Sequence, residues 1–217
     1  PEDRKFNVIP KIIFTVGDYF KDSIKKYDSK IITKTVSALN FQHLFKKQKI
    51  KKKKQILAAL PILKNDSDNI LKICKKLIEK ESFFDFKLII RPHPTFNTIY
   101  VEKKLKKLDI KNSKIDRSQH FFNSLIESST FIGGMSSTCL EALMLNVPTI
   151  IYKSNDYLSS SCVPKLISDK FYLHSNDYKK ISKFIIKDKN KKNILSNKIR
   201  NNCFKIVSNN LMNEFNL

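Results

Sequence analysis

Two short stretches of this sequence hold residue types that can do chemistry. The first spans Thr130 to Tyr152 and runs from an apolar strand pattern through a glycine pair into three hydroxyl residues, then an apolar helical pattern. That order predicts a strand, a tight turn and a helix whose first turn presents Ser136, Ser137 and Thr138. The first N–H groups of a helix lack intrahelical partners and carry the positive end of its dipole, so such a start attracts anions. Gly133 and Gly134 are two of only three glycines in the chain, which points to close backbone approach at this turn. The guest this chemistry suits is a phosphate. The second stretch is Lys87 to Thr95, where an apolar strand ends in Arg91 and His93, each followed by proline. Proline holds the preceding residue extended and forbids a helix there, so both cationic side chains sit in a stiff loop. Ligands of open α/β sheets bind beyond the carboxyl ends of the strands. Arg91 and His93 at one strand end, with Gly134 and the three hydroxyls at another, would make a diphosphate clamp.

The elements that must position these groups are legible as alternating patterns. Residues 7–44 read as a strand over 12–16, a turn at Gly17-Asp18, a helix over 19–26 and a strand over 30–36. A lysine-dense linker follows at 46–54, read as a solvated hinge in preference to a nucleic-acid patch. From residue 55, strands at 55–60, 87–90, from Thr130, 147–152 and 171–174 alternate with helices at 66–80, 98–108, 121–127, 136–146, 178–187 and 191–209. Asp66 or Ser67 is the expected cap of the first of these helices, with its apolar face at Ile70, Leu71, Ile73, Cys74, Leu77 and Ile78. Glu127 and Ser128-Ser129 are expected to cap the 121–127 helix. Near-continuous apolar strands between helices indicate a Rossmann-like, doubly wound parallel sheet covered on both faces.

Composition narrows the field. A chain of 217 residues with 41% hydrophobic content can bury one good core, and no apolar run approaches the ~20 residues of a membrane helix. The N-terminus lacks both a hydrophobic signal core and an initiating methionine, so the chain is expected to be an excised or processed piece. The formal charge of +22 comes almost wholly from lysine, with arginine only at positions 4, 91, 117 and 200. Abundant Asn, Ile and Phe fit an AT-rich genome better than a dedicated binding surface. Phosphate and base recognition favours the planar arginine fork, so nucleic acid is disfavoured as a partner. Weak attraction to an anionic cytoplasmic leaflet is the better use of the charge. Cys74, Cys139, Cys162 and Cys203 show no CxxC spacing and read as reduced structural residues, so neither a metal site nor a cofactor is expected.

Arg91-Pro-His93-Pro after one strand, then Gly133 to Ala142 and Val147 to Ile150, resembles the nucleotide-binding half of GT-B-fold glycosyltransferases. The likeness is to bacterial polysialyl-, Kdo- and CDP-glycerol-type transferases of surface polysaccharide synthesis, and it covers roughly residues 55–217. It implies a donor-binding domain over 55–217, the tail of an acceptor-side domain over 1–45, and a cytoplasmic enzyme at the inner face of the membrane. The implied partners are a CMP-, CDP- or UDP-linked sugar and a glycan or lipid-linked acceptor. It also implies that His93 and Ser136, Ser137 and Thr138 contact donor phosphate, and that Glu141 holds the ribose hydroxyls. The residues themselves offer another role for Glu141, because Thr138-x-x-Glu141 fits a capping box. Arg91 could equally pair with a carboxylate in the sheet, and Asp116 to His120 could line a nucleoside pocket. The general base of inverting members comes from the acceptor-side domain, and no carboxylate pair or Ser/His/Asp set here replaces it, so the catalytic residue is unassigned. A GT-B-like sugar-nucleotide epimerase and a non-catalytic lysine-rich module are the alternatives.

Overall fold

The computed structural model describes residues 8–45, 52–155, 162–188 and 194–205, in two compact units: residues 1–47 with 196–217, and residues 48–195. In the smaller unit, β1 (Ile12–Thr15) pairs in parallel with β2 (Ile32–Thr35) through α1 (Asp18–Tyr27). A short 3-10 stretch, Leu39–Phe45, follows and buries Leu44.

The larger unit alternates strand and helix as far as its fifth strand: β3 (Lys53–Ala59), α2 (Lys64–Ile78), β4 (Lys87–Arg91), α3 (Thr98–Lys107), β5 (Ser113–Ile115) and α4 (Phe121–Glu127). It continues with β6 (Ser128–Gly133), α5 (Ser137–Met144), β7 (Thr149–Ile151), β8 (Tyr172–His174) and α6 (Tyr178–Asp188). The six strands form one parallel sheet in the order β5-β4-β3-β6-β7-β8. The chain moves outward from β3 to β5, then returns to β6 and moves outward the other way. This is the doubly wound order, and its reversal lies between β3 and β6.

The central strand shows why. Ile56, Leu57 and Ala58 of β3 are fully buried, which a strand needs when both faces of its sheet are covered. On one face Ile56, Ala58, Leu88, Ile90 and Ile132 meet Ile70, Leu71, Cys74 and Leu77 of α2 and Ile181 of α6. Each fully buried Leu or Ile here contributes about 1.5–3 kcal/mol. On the other face Phe121 of α4 meets Phe131 of β6 edge to face, ring centroids 5.9 Å apart. Among the described residues, no helix is long and apolar enough to cross a membrane.

Four expectations change. Lys53 and Lys54, expected in the linker, extend β3, where their ammonium groups reach Glu127 (2.6 Å) and Asp85 (2.9 Å). Residues 46–51 lie outside the described set. Helix α2 starts at Lys64, with Leu63 in the cap position and no capping side chain. Ser67 cannot cap because it is buried and its hydroxyl donates to the Pro61 carbonyl (2.8 Å). Ser128 does serve the end of α4, its hydroxyl donating to the Ser124 carbonyl (2.7 Å). The final helix, α7 (Asn197–Cys203), is shorter than 191–209 among the described residues, and 191–193 and 206–209 lie outside them. It belongs to the smaller unit: Phe204 stacks on Phe41 with centroids 4.3 Å apart, and Arg200 donates to the Leu44 carbonyl (2.8 Å).

Candidate functional site: a phosphate cradle at the switch point

Register brings the two motifs to one level. Ala59, the last residue of β3, pairs with Arg91 of β4 on one side and Gly133 of β6 on the other. Strand spacing sets those two ends about 10 Å apart. Beyond them, the turn after β6 presses on the loop after β3. A Cβ on Gly134 would lie 2.7 Å from Cβ of Pro61, so only glycine lets the two loops approach this closely.

Arg91 is committed within the sheet edge. Its Nη1 donates to Asp116 Oδ2 (3.0 Å), the Ser118 carbonyl (2.7 Å) and Ser118 Oγ (3.0 Å). Burial pushes the Asp116 carboxyl upward. The Ser118 hydroxyl and N–H, the Ser124 hydroxyl and Arg91 outweigh it and hold the group below its ordinary value of 3.8. Asp116 and Ser118 are therefore spent on orienting the β5–α4 loop and Arg91. The pairing alternative for Arg91 is the one the geometry displays.

His93 is placed differently. The Thr95 amide, which can only donate, points at Nδ1 (3.3 Å), and Thr95 Oγ1 lies 2.7 Å from the same nitrogen. Nδ1 therefore accepts and the neutral ring carries its proton on Nε2, a tautomer inferred from the hydrogen-bond network. Phe96 backs the ring at 6.1 Å between centroids. The loop thus offers an Nε2–H donor held by a turn of its own backbone.

At the other side, Ser136 is the N-cap residue of α5, with extended backbone and no side-chain capping bond. Its hydroxyl lies instead 2.5 Å from Thr138 Oγ1. Thr138 is already inside the helix, so the capping box with Glu141 does not form, and Glu141 sits in the second turn. Ser137 and Ser136 are exposed. The turn is held by Cys139, whose thiol donates to the Gly134 carbonyl (2.9 Å) and whose N–H closes on the Ser136 carbonyl (3.1 Å). The side chain of the N-cap residue caps no N–H group of α5, and hydroxyls stand beside those groups. This is the local chemistry of an anion site.

Sequence reading missed two groups at this edge. A hydrogen-bonded trio joins Asp68 to the Tyr100 hydroxyl (2.7 Å) and to Lys104. A cavity of about 820 Å³ opens beyond β3 and β7. Only Pro61 and Tyr152, each just past an apolar strand, signalled that the chain turns there. Among the described residues no group of three or more His, Cys, Asp or Glu could hold a metal ion.

The four cysteines are free thiols. The adjoining Cys139 thiol, with the N–H groups of Ser136 and of Cys162 itself, draws the Cys162 thiol down to about 7, while burial pushes Cys74 and Cys203 up to about 12. Iodoacetamide at pH 8 should therefore alkylate Cys162 well ahead of the others, with a rate that climbs as pH rises through 7. Peptide mapping by mass spectrometry checks this, and equal labelling of all four would contradict it.

The parallel sheet, its doubly wound order and its flanking helices match the Rossmann-like half of a GT-B fold. Solved structures agree. Methanocaldococcus jannaschii UDP-GlcNAc 2-epimerase with UDP-GlcNAc and UDP superposes with a TM-score of 0.59 at 17% identity, over 94% of this chain and 59% of that one. S. aureus MnaA with UDP gives 0.58 at 14% identity, over 87% and 53%. The pneumococcal O-GlcNAc transferase GtfA with UDP and GlcNAc gives 0.50 at 9% identity, over 85% and 39%. The chain thus spans 39–59% of the length of these proteins, and the likeness is one of fold. No protein-family model and no curated protein sequence matches it.

Proposed function

We propose that this chain is the donor-binding part of a glycosyltransferase or glycerophosphotransferase that uses a CMP-, CDP- or UDP-linked sugar in cell-surface polysaccharide synthesis. The observation that carries this reading is the register at Ala59, which sets the His93 loop and the α5 start on either side of the central strand. In this reading Nε2–H of His93 donates to one phosphate, while Ser136, Ser137, Thr138 and the first N–H groups of α5 hold the other. Glu141, by its likeness to related GT-B enzymes, receives the ribose hydroxyls. Arg91 acts as a positioning residue through Asp116 and Ser118. The acceptor, a glycan or lipid-linked sugar, is met by the rest of the enzyme, and the lysine-rich surface draws it to the inner, anionic leaflet. Residues 1–45 are proposed as the tail of the acceptor-side domain.

His93→Ala should weaken CDP or UDP binding about 10- to 150-fold, the equivalent of about 1.5–3 kcal/mol for a hydrogen bond to a charged group. Its melting temperature should stay at the parent value, since the ring's bonds are local to its own loop. Calorimetric titration of both proteins decides, and equal affinities would remove His93 from the site. The Ser136→Ala, Ser137→Ala double variant should also melt like the parent, because neither hydroxyl caps α5. Its nucleotide affinity should nonetheless fall several-fold. A lower melting temperature with parental affinity would assign these hydroxyls to stability alone.

A sugar-nucleotide epimerase is the second reading, favoured by the higher TM-score of the Methanocaldococcus jannaschii epimerase, 0.59, against 0.50 for the transferase. NMR of a sugar nucleotide incubated with the full-length enzyme separates them. Inversion at a ring carbon without any acceptor supports the epimerase, and acceptor-dependent release of nucleotide supports the transferase.

A further inference from the structure

Two of the four thiols meet at the turn after β6. Cys139, in the first turn of α5, is fully buried, and its thiol donates to the Gly134 carbonyl at 2.9 Å. Cys162, on irregular chain after β7, is partly exposed, and its sulfur adjoins that of Cys139. Both sulfurs also face one donor, the Ser136 N–H. The Cys139 proton therefore has two acceptors in reach, the Gly134 carbonyl and the Cys162 sulfur. The other two thiols have no such arrangement. Cys74 in α2 and Cys203 in α7 are fully buried, and burial alone governs them.

The adjoining thiols are unlike, and the difference divides the work of an oxidation. Cys162 is reachable from solvent, and near pH 7 about half of it is the nucleophilic thiolate. Cys139 is closed to solvent, and its bond to Cys162 together with burial keeps it protonated. We propose that Cys139 and Cys162 form a reversible oxidation site, in which Cys162 reacts with a hydroperoxide, Cys139 resolves the product to a disulfide, and the closure loosens the turn at Gly134. In the first step the Cys162 thiolate attacks a peroxide oxygen. An S–O bond forms, the O–O bond breaks, sulfur gives up two electrons, and the departing hydroxide takes a proton from solvent to leave as water. The product is a sulfenic acid, which condenses with a neighbouring thiol. Cys139 Sγ then attacks Cys162 Sγ, the S–O bond breaks, and the hydroxide leaves as water with the Cys139 proton. Two thiols and one peroxide thus become one disulfide and two waters. Cys139 is fixed in α5, so the sulfurs reach the ~2.05 Å bond length by movement of Cys162. The proton lost in the second step is the one that Cys139 gave to the Gly134 carbonyl. Gly134 is also where this turn presses on Pro61, so oxidation acts on the tightest approach between the two loops. Where thiol reductants are present, a disulfide of this kind is transient and serves as a sensor.

The experiment treats the purified chain with a small molar excess of hydrogen peroxide at neutral pH and maps its peptides without reduction. The expected product is one peptide pair joined through Cys139 and Cys162, which dithiothreitol separates again. Cys162→Ser should resist the same treatment. Cys139→Ser, which keeps a donor for the Gly134 carbonyl, should stop at a Cys162 sulfenic acid that dimedone traps. Hydrogen exchange then compares the reduced and oxidised parent. Amides of 134–139 should exchange about two- to tenfold faster once the thiol–carbonyl bond is gone. A Cys162 that runs on to the sulfinic acid, or joins a second molecule, while Cys139 stays a free thiol overturns the site. So does a disulfide that leaves exchange at 134–139 unchanged. Should Cys139→Ser misfold, the map and the exchange of the parent decide without it.

Discussion

Asp116→Ala should lower the melting temperature of the larger unit by roughly 6–20 °C. The carboxylate is 5% exposed and the Arg91 side chain 24%, and their contact is a 3.0 Å hydrogen bond. Removing one member of a buried pair leaves the other charge uncompensated, at a cost of about 3–5 kcal/mol. For a domain of this size each kcal/mol moves the midpoint by about 2–4 °C. The Ser118 N–H would also lose the Oδ1 acceptor it meets at 2.9 Å. Removing both charges, in Arg91→Met with Asp116→Leu, should restore much of the loss, because the penalty lies in the orphaned charge more than in the lost pair. Acid titration gives a second readout. A carboxyl held below its ordinary 3.8 contributes stability that is present above that value and is lost as pH falls through the lowered one. The parent should therefore lose more stability than Asp116→Ala as the pH drops below about 4. Circular-dichroism melts from pH 7 to pH 2 measure both effects. A single variant within 1 °C of the parent would show that the pair is solvated and carries little.

Gly17→Ala should open the smaller unit while the larger one melts normally. The backbone of Gly17 is ordinary extended chain, with φ near −168°, so conformation is not the constraint. Space is. A Cβ there would lie 2.3 Å from the Cys203 carbonyl oxygen and 2.5 Å from that of Asn202, both main-chain atoms that cannot rotate away. The end of α7 would have to move, and with it the Phe41–Phe204 stack. Overpacking of this kind costs about 1–3 kcal/mol and sometimes more, and the rigid contact puts this case at about 3 kcal/mol. Hydrogen exchange is the suitable measurement, because it resolves the units. Amides of 197–205 should exchange at least tenfold faster in the variant. Unchanged protection there would mean that the chain yields locally.

The strands of the sheet were legible because each is a short apolar run closed by Gly, Pro or a polar cluster, as in Ile56–Leu60 before Pro61. Both motifs were legible for the same reason, since they sit where those runs stop. Helix starts were less so. Capping residue types near α2 and α5 suggested caps that do not form, because Ser67 serves the Pro61 carbonyl and Ser136 bonds Thr138. The partner of Arg91 lies 25 residues on, and only the parallel register of Ile90 with Ile115 brings Asp116 beside it. No local pattern encodes that meeting. The periodicity of α7 showed that it has an apolar side but not which unit receives it. The tautomer of His93 depends on the Thr95 amide, a backbone direction with no sequence signature.

The return of residues 196–205 to the first unit has a consequence for synthesis. The main-chain bonds that close this unit join Val16 and Ala38 to Lys205, so they cannot form until nearly the whole described chain has been made. Of the two units, the one whose translation starts earlier is completed later. Between its two parts lie residues 48–195, which at ~5–20 residues per second take the ribosome roughly 7–30 s to make. Throughout that interval the Phe41 ring waits for Phe204 and the Leu44 carbonyl waits for Arg200. The nascent chain therefore carries an unfinished apolar surface on its first unit while the second unit folds, and that surface is where nascent-chain chaperones have their window.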